Sequence, residues 1–456
     1  MSDPMSRRRF VQGSGVALGT ACIASSTASA SSAPSASAAD RSLYAYVGFG
    51  TEGWNGGSIG GGIKAFRVNM ADGSLDEVGA TGPEFANMNC DGICTSSDGR
   101  FVYGTNRTTA QDGIPGYGGG LYAFAISSTN GSLQHVKTVH SMGSNPSGVM
   151  VDSATGRLIA SNRGAISRVT LLVKKRGEWT IERPTDDATV ALFPLGADGS
   201  IGQPLDVAVF TEGMAPGSAE LRPEDLGADS MVQNGPACHG IALDSTERWI
   251  IATDNGYDHI YVYPHSPSSR RLSGKAYPVA AGTGPRHIAA HPKAPFFFVT
   301  NEWSPSISAF QLNEKTGAVR HIQTIGVSAD NLSPDKPEGS VFKYDGPSPA
   351  DVRVHPNGRF VYASTRRTKS SKGGNDTISV YAFNQGTGRL KFVEEVETGG
   401  KMQREFNIDP SGKFLFACNM DSNNVTTFGL DSKTGKMSHV ATTAVPRAAV
   451  ISFASL

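Results

Sequence analysis

Residues 284–303, GPRHIAAHPKAPFFFVTNEW, place Arg286 and His287 at the entrance of one short alternating segment and Glu302 at the exit of the next. Groups of these types move protons, hold developing negative charge or clamp an anion. Packing alone does not select full charges at both open ends of a hairpin that buries Ile288 and Phe297. Three further residues join them when the chain's internal repeat is aligned: His239, Arg353 and Arg404. Arg353 lies between Val352 and Val354 in a β-type pattern. A guanidinium there is costly unless a carboxylate of a neighbouring element or an anionic ligand receives it.

Residues so far apart in sequence act together only if the fold returns them to one place, and a repeat does so. One unit recurs: an alternating segment, an Asp/Pro-x-Gly turn, an aromatic-rich segment ending in Asn or Asp, a third segment, then a Gly turn. The copies are residues 92–106, 148–162, 240–254, 287–301, 351–365 and 405–419, and third segments follow at 121–126, 260–264, 307–312, 378–383 and 425–430. Period-2 patterning with β-branched and aromatic residues marks strands, and a unit of about 45–60 residues with four short strands is a propeller blade.

The phase of the repeat predicts closure. The mature chain opens on a second-type strand, LYAYVGF at 43–49, followed by GIKAF at 62–66, so its first blade lacks an innermost strand. An orphan segment, VPRAAVISFA at 445–454, resembles the start of the fifth unit and would supply that strand. The expected architecture is therefore all-β, a seven-bladed β-propeller closed by the C-terminal strand, which removes exposed sheet edges. Residues 183–236 and 327–349 exceed the regular spacing and read as long surface loops shaping a binding face.

In each blade the first strand is innermost and the second runs antiparallel to it, so the entrance of one and the exit of the other share a face. Asp91, His239, Arg286, Ala350 and Arg404 precede the inner strands of blades two, four, five, six and seven. They ring the channel mouth with a carboxylate, an imidazole and two guanidiniums. Asn106, Asn162, Asp254, Asn301, Thr365 and Asn419 end the second strands and are expected to cap loops. One place further on stand Arg107, Arg163, Asn255, Glu302, Arg366 and Met420, so a carboxylate occurs there in blade five alone. His291 and His355 precede turn prolines on the opposite face and read as structural.

Composition narrows the partners. Lys+Arg and Asp+Glu number 41 each, which argues against nucleic acid or an anionic membrane surface as partner. After residue 30 no apolar run approaches the roughly 20 residues of a spanning helix. The N-terminal SRRRFVQG at 6–13 resembles a twin-arginine export signal, followed by VALGTACIA and small-residue sites at 28–30 and 36–38. Residues 1–39 are thus read as signal and Ser/Ala-rich spacer, and 40–456 as the propeller. The expected location is periplasmic or extracellular. Cys90 and Cys94, in an extended segment, lie about 13 Å apart, beyond disulfide reach. Cys238 and Cys418 read as small buried hydrophobes. Zinc-type spacing is missing.

The motifs ACHGIALD, GPRHIAAHP, TNE, ADVRVHPNGRFVYAS and FNIDPSGKFLFACN, in this order, resemble the lactonase family of seven-bladed propellers. That family includes propeller-type 6-phosphogluconolactonases and fungal 3-carboxy-cis,cis-muconate cyclases. The resemblance covers essentially the whole mature chain and implies that His239, Arg286, Glu302 and Arg353 correspond to the family's catalytic residues. For lactone hydrolysis, Glu302 or neutral His239 is the expected general base and Arg286 the oxyanion stabiliser. Arg353 would bind a carboxylate or phosphate in a fork, with His287 and Arg404 adding anion binding. The expectation is a metal-free, cofactor-free monomer acting on a small-molecule lactone or carboxylate. A muconate-type cyclisation uses the same groups, and a non-catalytic binding propeller is the competing class.

Overall fold

The computed structural model describes residues 42–50, 61–114, 116–164, 171–175, 177–182, 186–210, 235–330, 347–367 and 375–456. The signal and spacer read at 1–39 lie outside the described residues. Seven four-stranded antiparallel sheets follow one another along the chain. From the innermost strand outward, blade five is Pro285–Ala290, Phe296–Asn301, Ser306–Leu312 and Val319–Gly326. Blades two, four, six and seven repeat this order with inner strands Ile93–Thr95, Cys238–Leu243, Pro347–Val354 and Gln403–Ile408.

Blade one is assembled from both ends. Ala448–Ser455 pairs with Leu43–Phe49 in a register running from Leu43 opposite Ser455 to Phe49 opposite Ala448. This C-terminal strand packs against the inner strands of blades seven and two, completing the ring.

The second strands read as almost unbroken apolar runs because both their faces are covered. In Phe360–Arg367, Val361 and Ala363 pack towards blade five while Phe360 and Tyr362 pack towards blade seven. In Phe296–Asn301, Phe296 and Phe298 face blade six and Phe297 and Val299 face blade four. The period of two sends alternate side chains into two different inter-blade layers. In blades five and six the turn below the inner strand is pinned to the next blade. His291 Nε2 bonds the Gly358 carbonyl at 3.0 Å and His355 Nε2 that of Gly412 at 2.9 Å, and both glycines have positive φ. The structural reading of these two histidines stands.

Two expectations change. The stretch 183–236 is not one loop: Ala188–Pro194 and Asp206–Phe210 are the third and fourth strands of blade three. A separate hairpin, Leu171–Lys175 with Glu178–Glu182, is inserted between the second and third strands of that blade, ahead of this stretch. The remainder, 211–234, lies outside the described residues, as do 331–346 of the second long stretch. In blades three to seven the inner strands also begin earlier than the repeat suggests. Cys238 pairs with Asp254 and Ile241 with Ala252, so His239 and Gly240 oppose the single residue Thr253. This is a β-bulge, and blades five, six and seven carry it at the same place.

Candidate functional site

The bulge positions the site. Two residues in the space of one bend the strand and re-aim its side chains. The bulged pairs are His239–Gly240, Arg286–His287, Ala350–Asp351 and Arg404–Glu405. In blades four, five and six a facing hydroxyl, of Thr253, Thr300 or Ser364, fixes the bulge. Thr253 Oγ1 accepts from Gly240 N at 2.9 Å and donates to the Arg286 carbonyl of blade five. Thr300 likewise accepts from His287 N at 3.2 Å and donates to the Ala350 carbonyl at 3.2 Å. A Cβ added to Gly240 would stand 2.6 Å from the Arg286 carbonyl oxygen, so the approach of the two strands admits only glycine there.

Two tiers of charge result. In the upper tier, each of two carboxylates is held between two guanidiniums. Asp91 receives Arg404 through Nε at 2.7 Å and Nη2 at 2.6 Å, and Arg107 from the end of its own blade's second strand. Glu302 receives Arg366 of blade six, lies 3.5 Å from Arg286 Nε, and accepts from Asn255 Nδ2 at 3.2 Å. Arg163 is buried with this group and acts electrostatically on Glu302 and His239. Among the described residues, five buried guanidiniums are thus gathered around Asp91 and Glu302.

Burial works to raise the Glu302 carboxyl, but Arg286, Arg366 and Arg163 override it and hold it at about 2. Burial likewise works against Asp91, and Arg107 and Arg404 hold it well below the usual carboxylate range. His239 is driven far down, first by burial and then by Arg286 and His287, so it stays neutral at neutral pH. Its Nδ1 is buried without a hydrogen-bond partner, and so is Arg286 Nε. Arg286 Nη1 donates to the Ala350 carbonyl at 2.7 Å.

The lower tier lines a cavity of about 150 Å³ bounded by His239, His287, Arg353, Glu405, Ser147 and the glycine-bearing strands of blades two to four. Arg353 bridges blades six and seven, with Nη1 2.8 Å from Asp351 and Nη2 3.3 Å from Glu405. His287 Nδ1 bonds Asp351 at 2.8 Å, and its ring centroid lies 5.0 Å from that of His239. Burial and Arg286 lower His287 to about 4 although Asp351 opposes this, so its ring is neutral and carries no charge for an anion. Its Nε2 is 3.7 Å from Glu405 Oε1. His287, Asp351 and Glu405 also bring one ligand atom each within 4.8 Å of one another. The cation already placed between the two acids is the Arg353 guanidinium.

The structure thus brings Arg286 and Glu302 into direct apposition, sets His239 on the adjacent bulge, and places Arg353 one tier lower, on the cavity that His239 lines and that Arg286 and Glu302 do not. Arg404 is turned edge-on to Asp91. Sequence reasoning missed Asp351 and Glu405, which are the second residues of bulges. The aligned position did carry a signal, since it holds Gly92, Gly148 and Gly240 in three blades and His287, Asp351 and Glu405 in the other three. It also passed over Arg107 and Arg366 as mere counterparts of Glu302.

The family model described as "Lactonase, 7-bladed beta-propeller" matches residues 59–180 and 185–453. The 6-phosphogluconolactonase of Bacillus subtilis is 27% identical over 411 residues, 90% of this chain and 98% of that protein. The 6-phosphogluconolactonase of Formosa agariphila is 26% identical over 386 residues, 83% of this chain and 91% of that protein. Among solved structures, the Pseudomonas aeruginosa periplasmic gluconolactonase shares the fold with a TM-score of 0.69 at 21% identity, over 90% of this chain and 99% of that one. The match extends over nearly the whole ring, and the chain belongs to the family of seven-bladed β-propeller lactonases.

Proposed function

We propose that this protein is a lactonase of the 6-phosphogluconolactonase kind, opening a small acidic or sugar-derived lactone at the channel mouth by general-base catalysis without a metal. The observation that carries the reading is a pair of buried polar atoms that make no hydrogen bond. They are His239 Nδ1 and Arg286 Nε, on the same bulge of neighbouring blades, with Arg286 Nε held only by an ion-pair contact to Glu302 at 3.5 Å. A buried polar group left unpaired is costly, and a ligand that pairs with it recovers that cost.

His239, neutral and on the cavity wall, takes a proton from water as that water attacks the lactone carbonyl. Arg286 meets the charge that develops on the carbonyl oxygen, in a site where burial strengthens the interaction. Arg353, the guanidinium with an exposed edge on the cavity, recognises a carboxylate or phosphate on the substrate. Glu302 is assigned a positioning role: a carboxyl held at about 2 is a feeble base, and its bonds to Arg366 and Asn255 keep Arg286 in place. The names of the Bacillus and Formosa relatives support the substrate class.

We also propose export by the twin-arginine route to a periplasmic or extracellular site, on the strength of SRRRFVQG at 6–13. The catalytic reading is tested by pH-stat assay of 6-phosphogluconolactone and gluconolactone with wild type and His239→Asn. Wild type releases acid above the spontaneous rate and His239→Asn does not. Equal rates would refute the assignment of the base.

A further inference from the structure

Lactone opening needs two proton transfers, and the proposed base accounts for one. When the tetrahedral intermediate collapses, the bond between the carbonyl carbon and the ring oxygen breaks, and an alkoxide leaves with the electron pair. An alkoxide expelled into a buried cavity requires a proton from the protein.

Resting on the lactonase reading above, we propose that Glu405 is a further catalytic residue, the acid that protonates the departing ring oxygen, with His287 and Asp351 as its positioning partners. Glu405 stands on the wall of the cavity that His239 also lines. Its Oε2 is anchored by Arg353 at 3.3 Å, which leaves Oε1 towards His287 Nε2 at 3.7 Å. Asp351 accepts a hydrogen bond from His287 Nδ1–H at 2.8 Å, so Nε2 carries the lone pair on the Glu405 side. An imidazole lone pair there favours the protonated carboxyl over the carboxylate.

The charged groups acting on Glu405 come from three blades. Burial and the Asp351 carboxylate raise its pKa well above the usual carboxylate range, Asp91 adds to this, and Arg353 and Arg286 oppose it without reversing it. Arg404 is its chain neighbour and is committed to Asp91. The Cys418 and Cys90 thiols stay protonated by burial.

The step balances. Water supplies the hydroxyl joined to carbon and gives one proton to His239. Glu405 gives its proton to the ring oxygen, and the hydroxy-acid product leaves. His239 returns its proton to solvent and Glu405 regains one from solvent.

Leaving-group dependence tests this. For an alkyl lactone the leaving oxygen is strongly basic, whereas an aryl lactone expels a phenoxide that needs little help. Glu405→Gln keeps the shape and has no acidic proton, so kcat for the alkyl lactone should fall about 100- to 10,000-fold with KM nearly unchanged. On the aryl lactone the same variant should lose at most a few-fold. Equal losses on both, or no loss on either, would overturn the role of Glu405. The wild-type pH profile gives a second readout that needs no variant. Alkyl-lactone kcat should decline as pH rises through the titration of Glu405 while aryl-lactone kcat does not, and parallel profiles overturn the proposal. A folded wild type inert towards both lactones would instead refute the lactonase reading itself.

Discussion

Arg366, at the end of the second strand of blade six, is bonded to the Glu302 carboxylate at the end of the second strand of blade five. This one ion pair joins two blades and fixes the acid that stands 3.5 Å from Arg286. Structural and chemical roles therefore meet in the same side chain. Removing the charge of Glu302 exposes two buried guanidiniums to a weaker partner. Glu302→Gln should lose about 3–5 kcal/mol of stability, and kcat should drop with it as Arg286 loosens. Urea denaturation beside kcat measures both. Unchanged stability with abolished turnover would return the base role to Glu302.

Acid should weaken the fold through the same group. Glu302 is held at about 2 in the folded chain against an ordinary 4.5, and Asp91 is depressed too. Their contribution is complete above the unfolded carboxylate value and is lost as pH falls from about 4.5 towards about 2. Urea midpoints at neutral pH and at several acid values should show this loss, and Glu302→Gln should show a shallower one. Identical acid dependence in the two proteins would contradict it.

The bulge hydroxyls supply a test of preorganisation. Thr253 accepts from the Gly240 amide and donates to the Arg286 carbonyl. Thr253→Val keeps the volume and strands both groups, which costs about 1–3 kcal/mol for each buried group left unpaired. A lowered thermal midpoint is expected, and a neutral result would mean that the bulge holds itself.

Closure rests on the last strand. A chain ending at residue 446 lacks Ala448–Ser455 and leaves open edges on Leu43–Phe49. It should aggregate or fail to fold in size-exclusion chromatography. A monodisperse truncated protein would show that the ring does not depend on this strand.

Export can be followed separately from catalysis. Replacing Arg7 and Arg8 by Lys should retain the protein in the cytoplasm, read by cell fractionation. Continued export would refute the twin-arginine proposal.

The fold was legible because each blade repeats the same demands. Aromatic runs such as FFFV at 296–299 must bury both faces, and each turn Gly returns at a fixed offset. The split first blade was legible from phase alone. The upper ring was only half legible. Alignment finds His239, Arg286 and Arg404, but nothing in one blade's sequence says that Arg107 turns to Asp91 or Arg366 to Glu302, since those pairings depend on curvature between strands. The lower tier escaped for a different reason. Strand alternation fails inside a bulge, so Asp351 and Glu405 cannot be assigned a side by counting in twos. Arg353 was recognised as needing a carboxylate, and it found two, one of them only two residues away.

The roles proposed for His239 and Arg286, carried on adjacent bulges, stand or fall on the conversion of a lactone to its hydroxy acid. The most direct measurement is acid release in a pH-stat from 6-phosphogluconolactone, for wild type and for His239→Asn and Arg286→Met shown to be folded. Wild type should release acid above the spontaneous rate, and kcat should fall about 100-fold or more in each variant. Folded variants that turn over the lactone as fast as wild type would contradict it.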